Sequence, residues 1–155
     1  VPRLTEMYNR YIAITPIRFD KEPVSAGQRL SSWFNHHSLT GPFRLLVAKV
    51  NEKTVKDASS SQFRTKAAYY TSVKSSIYID PLELGRGIGS KLYAALFEQL
   101  EDTEVHRAYG GITLPNEASM ALHRKFGFQE VGVYSEVGYK FDQFYDVCWL
   151  EKSFS

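Results

Sequence analysis

Apolar residues along this chain recur with two periods, and the switches between them mark its elements. Leu4, Met7, Tyr8 and Tyr11 lie three and four residues apart, which predicts an opening helix over Leu4 to Ile14, ended by Pro16. Ser25 and Gln28 make a capping box for a second helix with Leu30, Trp33 and Phe34 as its core face. His36 and His37 fall near its end, where an imidazolium suits the helix dipole; a solvated terminus is favoured over catalysis for both. After the Gly41-Pro42 turn, Phe43 to Val50 is an apolar run of strand length. Asn51-Glu52-Lys53 turns it into a more polar strand, Thr54 to Ser61, whose signal is diluted by Lys56, Asp57 and the serines. A polar connection, Gln62 to Lys66, leads to the Tyr-rich, β-branched stretch Ala67 to Ile79, read as one long strand region.

The helical period returns at Ile88, Leu92, Ala95, Leu96 and Leu100. An acidic loop over Glu101 to Glu104 leads to a strand, His106 to Leu114. Asn116 is placed to cap a helix with Ala118, Ala121, Leu122 and Phe126 on its apolar face and Gly127 at its end. Phe128 to Tyr134 and Tyr139 to Leu150 are two closing strands, joined through Gly138. The order is two helices, three or four mostly hairpin-linked strands, a helix, a strand, a helix and a pair of strands. That is an α/β chain with a mixed sheet and helices on its faces.

Composition narrows the function classes. The 155 residues suit a single domain over 1–155, and 43% apolar with 14% aromatic content predicts a packed core. A formal net charge of +2 argues against nucleic acid or a membrane surface as partner. There is no apolar run of transmembrane length and no signal-peptide pattern, so a soluble, cytoplasmic location is expected. Cys148, the single cysteine, sits in an apolar strand pattern and is expected in the core. Four histidines without metal-ligand spacing carry no zinc signature, and no metal is expected.

The chemistry-bearing stretch is Leu84-Gly85-Arg86-Gly87-Ile88-Gly89, set between the strand that ends at Asp80-Pro81 and the helix after it. Glycines uncover backbone N–H groups, and a helix start leaves such groups unpaired beside a positive dipole end. An anion, most simply a pyrophosphate, suits that geometry. The spacing is not that of a P-loop, because Ser90 stands where the second glycine belongs. It is not the dinucleotide fingerprint either, because G-x-G-x-G replaces G-x-G-x-x-G. A glycine-rich helix start that binds nothing is the plainer alternative.

Three separated segments then agree. Ser76-Ile77-Tyr78-Ile79-Asp80-Pro81, Gly85-Arg86-Gly87-Ile88-Gly89, and Asn116-Glu117-Ala118-Ser119 with Leu122 to Phe128 resemble, in order and spacing, the GNAT acyltransferase superfamily. Glu6 to Asn9, Phe19, Glu22-Pro23, Trp33, Arg64 to Tyr69, Val137 to Phe141 and Asp146-Val147 resemble its phosphinothricin and methionine sulfoximine N-acetyltransferase branch. The resemblance implies a twisted, mostly antiparallel sheet with splayed central strands, and the family's first strand is missing before Leu4. It implies acetyl-CoA as co-substrate, a small amino acid or analogue as acceptor, and a homodimer.

Site residues follow from the resemblance, position by position. The segment Leu84, Gly85, Arg86, Gly87, Ile88, Gly89 and Ser90 would hold the pyrophosphate of CoA. Ile77, Tyr78 and Ile79 would pair with the pantetheine arm, and Asn116 and Ser119 lie beside it. His123 stands where many members carry the acid that protonates the departing thiolate, a role suited to imidazole. Arg64 and Lys66 are candidates to hold a substrate carboxylate, with solvated loop charges as the even alternative. Two positions depart from the pattern. Lys74 replaces the branch's glutamate base, so water, His106 or another group takes that role, or the acceptor differs. Leu84 replaces the usual Arg or Gln, leaving the backbone cradle and Arg86.

Overall fold

A computed structural model describes residues 2–14, 22–79 and 87–154. Pro16 and the first part of the glycine loop, Leu84, Gly85 and Arg86, lie outside the described residues. The chain runs through α1 (Pro2–Ile14), α2 (Ala26–Ser32), β1 (Leu45–Val50), β2 (Lys53–Gln62), β3 (Ser72–Ile79), α3 (Ile88–Glu101), β4 (Arg107–Thr113), α4 (Glu117–Lys125), β5 (Gln129–Lys140) and β6 (Gln143–Ser153). The described strands form one sheet of order β1-β2-β3-β4-β6-β5. β3 and β4 are parallel, and every other pair is antiparallel. The expected mixed, mostly antiparallel sheet flanked by helices is what forms.

Strand side chains alternate between the two faces of the sheet. Ala58, Val73, Ala108, Ile112, Cys148 and Leu150 share one buried cluster with Leu92, Tyr93, Leu96, Phe97 and Leu100 of α3, Met120 of α4, and Phe128. Burying each large side chain stabilises by about 1.5–3 kcal/mol. Phe97 lies at 4.5 Å from the Tyr93 ring, 5.5 Å from Phe126 and 5.7 Å from Phe128, centroid to centroid. Cys148 is in this core, as its strand pattern predicts, and burial pushes its thiol pKa up. Leu4 and Met7 are buried outside this cluster, on α1, which lies against β2 and β3. Arg3 Nε donates to the Thr54 carbonyl at 3.0 Å, and the Asn9 amide binds the Val24 backbone through both its oxygen and its nitrogen at 2.9 Å each.

The capping box forms as predicted: Gln28 N donates to Ser25 Oγ at 3.1 Å, and Ser25 N donates to Gln28 Oε1 at 2.7 Å. The core face expected behind it does not. Leu30 and Phe34 are 41% and 37% exposed, and Arg29 is buried in their stead. α2 ends at Ser32 and a 3-10 turn follows over Phe34–His36, so the helical period breaks before it can build a face. The planar Arg29 guanidinium lies 4.2 Å from the Tyr8 ring centre and 3.9 Å from that of Trp33, stacked on both. His37 is half-buried against Trp33, and burial lowers its pKa.

Three further expectations are corrected. The stretch from Ala67 opens with a 3-10 turn, Ala67–Tyr69, and the strand starts only at Ser72. In α4 the buried side chains are Met120 and His123, while Ala118 and Ala121 are exposed. Alanine buries little area, so the longer Met120 takes the contact with the core. The closing strands are not joined at Gly138, which pairs with Tyr145 inside the hairpin. The chain turns at Phe141 and Asp142, with φ of 52° and 57°, consecutive left-handed residues of the kind that match strand twist in tight hairpins.

Candidate active site

The site begins where two strands part. β3 and β4 pair only at Ser72, Val73 and Lys74 against Arg107, Ala108 and Tyr109. β3 stays paired with β2 as far as Ile79, and β4 stays paired with β6 as far as Thr113. From Ser75 onward, each strand therefore has one row of backbone N–H and C=O groups with no strand partner among the described residues, and a gap opens between the two. Such groups need partners. An extended ligand carrying amides supplies them, as an added strand would. Tyr78 and the backbone of Ile77 and Ile79 lie along this gap.

Ser75 and Gly110 are the first residues beyond the last pair, and a polar group is built between them. The Tyr93 hydroxyl of α3 lies 2.9 Å from Ser75 Oγ and 3.1 Å from His123 Nε2 of α4. His123 Nδ1 donates to the Ser119 carbonyl at 2.7 Å, and Ser119 Oγ lies 3.4 Å from the same nitrogen. A β-carbon on Gly110 would stand 3.0 Å from His123 Nε2, so any side chain there would push on the ring. Tyr93 is fully buried, Ser75 3% exposed and His123 4% exposed.

The carbonyl at Nδ1 fixes the proton on that nitrogen, which leaves Nε2 of a neutral ring as an acceptor for the tyrosine. Burial lowers the His123 pKa and raises that of Tyr93, so the ring is held neutral and the phenol protonated. A histidine with a depressed pKa takes its proton first in the unfolded chain. Stability is therefore fully present above about pH 6.5 and is lost as pH falls below it. His37 acts in the same sense. Denaturant midpoints near neutral pH and near about pH 5 should show this fall, and His123→Gln should reduce its size. An unchanged pH dependence in that variant would contradict the neutral buried ring.

At the other end of the gap stands the start of α3. Gly87 is its N-cap at φ 67°, a conformation that favours glycine, and open space surrounds the position a β-carbon would take. The first-turn N–H groups of α3 have no intrahelical acceptor, the arrangement that suits an anion at a helix start. Lys125, from the end of α4, donates to Ser90 Oγ at 3.1 Å and sets a cation beside that turn. The Asn116 side chain caps α4, accepting from Ser119 N at 3.1 Å. Asn116, Ser119, His123 and Lys125 thus lie along α4 from its N-cap to its last residue.

Lys74 belongs to the opposite face. It is exposed, directly opposite Tyr109 in register, with Nζ 5.8 Å from the Trp149 ring centre. Trp149 packs over Gly111 and lies 6.1 Å from Tyr134. Its Nε1 is buried and meets no acceptor among the described residues. Phe63 stacks on Tyr109 at 4.6 Å, and the Arg64 guanidinium sits 4.8 Å over Phe63. Arg64 and Lys74 thus border one aromatic patch across the sheet from His123. Lys66 is exposed at the start of the 3-10 turn, and His106 is exposed and bonded to Arg107 at the far end of β4. A recess of about 450 Å³, lined by Arg44, Tyr70 and Gln99 among others, lies near the far end of α3 from Gly87 and holds none of the motif residues.

Sequence reasoning missed Ser75, Tyr93, Gly110, Lys125 and Trp149. Tyr93 falls on the buried side of α3 and reads as core. Gly110 and Trp149 carry no motif. Two had a signal: Ser75 adjoins Lys74 at the family's base position, and Lys125 lies within the Leu122 to Phe128 segment.

Comparison with known proteins identifies the family. The family model described as an acetyltransferase (GNAT) domain matches residues 3–149, and the chain belongs to that family. It is 48% identical to a phosphinothricin N-acetyltransferase of Streptomyces coelicolor over 151 residues, covering 96% of this chain and 88% of that one. It is 28% identical to an L-methionine sulfoximine/L-methionine sulfone acetyltransferase of Salmonella typhimurium over 148 residues, covering 96% of this chain and 85% of that one. Among solved structures, an acetyltransferase from Salmonella typhimurium with its cofactor acetyl-CoA superposes with a TM-score of 0.92 at 27% identity, covering 99% of this chain and 88% of that one.

Proposed function

We propose that the protein transfers an acetyl group from acetyl-CoA to the amino group of a small amino acid or analogue, of the phosphinothricin or methionine sulfoximine type. The observation that carries this reading is the parting of β3 and β4 after Lys74 and Tyr109, with a buried polar group beside it and a glycine-capped start of α3 where Lys125 meets Ser90. Acetyl-CoA is a substrate here, consumed at each turnover. The residues fit its parts: the first turn of α3 with Ser90 and Lys125 suits the pyrophosphate, and the open edge of β3 along Ile77, Tyr78 and Ile79 suits the pantetheine amides. Leu84, Gly85 and Arg86 complete the loop in this reading, and Asn116 and Ser119 shape its wall. His123 is the proton-transfer group, Arg64 and Lys66 hold the acceptor's carboxylate, and the aromatic patch around Lys74 is the acceptor's side.

Backbone N–H groups beside the gap would polarise the thioester carbonyl, and proton transfer by imidazole is worth typically about 10²–10⁴-fold. The named relatives support the acceptor class. A cytoplasmic homodimer belongs to the same reading. Val131, Val133, Tyr134, Val137, Tyr139 and Phe144 are exposed on the edge strand β5 and its hairpin partner, an apolar surface of the kind that pairs between copies. Lys74 supports a second reading, acetylation of a peptide or protein amine, because an ammonium at the base position repels a small ammonium acceptor. A domain that binds CoA without catalysis is a third.

Calorimetry with acetyl-CoA, followed by thiol release over a panel of amines, separates these readings. The expected result is micromolar binding and release with phosphinothricin or methionine sulfoximine. Release only with peptides would favour the second reading, and binding without release the third. Sedimentation of the same sample at a monomer's mass would contradict the dimer.

A further inference from the structure

Lys74 leaves the reaction without the carboxylate base of the family pattern, and the floor of the gap offers a replacement. We infer that Ser75, Tyr93 and His123 form a proton relay in which neutral His123, reached through the two hydroxyls, is the base for the acceptor amine and then returns the proton to the departing sulfur. The inference rests on the acetyltransferase reading and concerns only how protons move within it.

The geometry gives the relay a direction. Nδ1–H is committed to the Ser119 carbonyl, so Nε2 of the neutral ring accepts from the tyrosine at 3.1 Å. Tyr93 has one proton, which can go to Ser75 Oγ or to Nε2; in the state that gives it to Nε2, the serine donates across the 2.9 Å contact. In this state the chain runs inward and ends on the unprotonated Nε2, which accepts from Tyr93. A proton taken up by Ser75 Oγ moves the serine's own proton to Tyr93 and the tyrosine's to Nε2. The ring is then an imidazolium, and each hydroxyl donates the other way, from Nε2 to Tyr93 and from Tyr93 to Ser75. Ser75 is the first residue of β3 beyond its pairing with β4, so its backbone borders the gap, and its buried hydroxyl is the relay's outermost group.

The step balances. An acceptor ammonium that enters the gap from the Lys74 face gives one proton to Ser75 Oγ where the strands part, and the relay stores it on His123. The free amine attacks the thioester carbonyl carbon, so a C–N bond forms. The C–S bond breaks with its electron pair going to sulfur, which takes the stored proton back through Tyr93 and Ser75. The nitrogen loses its second proton to solvent. Products are the N-acetyl compound, CoA thiol and one released proton, with His123 neutral again. Burial, not a neighbouring charge, lowers the pKa of the ring, which favours prompt return of the proton. Tyr78 is the further titratable group acting on Tyr93, from β3, and Arg124 and Lys125 beside His123 on α4 are exposed.

Tyr93 acts through His123 and is a positioning residue; its test needs a readout that packing alone would not move. Tyr93→Phe keeps the ring among Phe97, Phe126 and Phe128 and removes only the hydroxyl. The expected kcat falls about tenfold to a hundredfold, with KM for acetyl-CoA within about twofold. In the unmodified protein kcat rises with pH as His123 becomes neutral and then levels. In Tyr93→Phe that plateau is lost, and the rate climbs with solvent deprotonation of the amine. Ser75→Ala should behave the same way, and Ser75→Thr, which keeps a hydroxyl, should recover most of the loss. If Tyr93→Phe does not fold, the serine pair carries the same test. Variants that keep the kcat and pH profile of the unmodified protein would overturn the relay alone. An unmodified protein that neither binds acetyl-CoA nor releases thiol would overturn the acetyltransferase reading, and the relay with it.

Discussion

Gly110→Ala should cost this protein about two orders of magnitude in turnover while leaving acetyl-CoA binding nearly unchanged. The added methyl would stand 3.0 Å from His123 Nε2 and 3.2 Å from Cδ2, and the next atom it meets belongs to Phe128. The ring cannot retreat freely. Its Nδ1 is held by the Ser119 carbonyl, and Phe128 and Tyr93 flank it at 4.9 and 5.3 Å between ring centres. The group that gives way is the contact between Nε2 and the Tyr93 hydroxyl, and the proton path goes with it. Forcing a methyl into a packed site also destabilises by about 1–3 kcal/mol. Gly110 has no left-handed backbone, so the effect comes from the close approach of the ring and not from strain. Thiol release and a denaturation midpoint measured on one preparation check both parts. Full turnover in the alanine variant would mean that His123 need not be where the structure puts it.

Lys74→Glu should act in the opposite sense and raise kcat/KM for phosphinothricin or methionine sulfoximine about ten- to thirtyfold. Lys74 is exposed beside Trp149 and opposite Tyr109, on the face assigned to the acceptor. Two exposed like charges about 4 Å apart repel by about 1 kcal/mol, and reversing one charge changes the interaction by about twice that. A carboxylate would also offer the amine a direct base beside the relay. The gain should shrink as ionic strength rises, because exposed charges are screened. A variant with unchanged or lower kcat/KM for these amines would show that Lys74 does not face the acceptor, and the peptide-acceptor reading would gain.

The helical and strand periods located the helices and most of the strands, because those elements bury one face and the period is the record of that burial. The capping box at Ser25 and the cap at Asn116 were legible because each is a local bond between residues three apart. Arg29 was not legible. Its burial depends on Tyr8, a residue brought against it only by the tertiary fold, and no period marks a guanidinium between two rings. The hairpin turn was read at Gly138 because glycine is the usual turn signal, whereas Phe141 and Asp142 take the left-handed conformation despite their side chains. The site divides in the same way. The glycine loop and His123 were carried by motifs with fixed spacing. Tyr93, Ser75 and Gly110 come from three elements distant in sequence, and nothing short of the parting of β3 and β4 gathers them.

Amide hydrogen exchange with and without acetyl-CoA tests the central claim most directly, that the gap between β3 and β4 is where the acetyl donor lies. On addition of acetyl-CoA, exchange should slow at the β3 amides past Lys74 that are not bonded to β2, and at the first turn of α3 from Gly87 to Ser90. Unchanged exchange at both, with slowing at the recess near Arg44 and Gln99 instead, would contradict it.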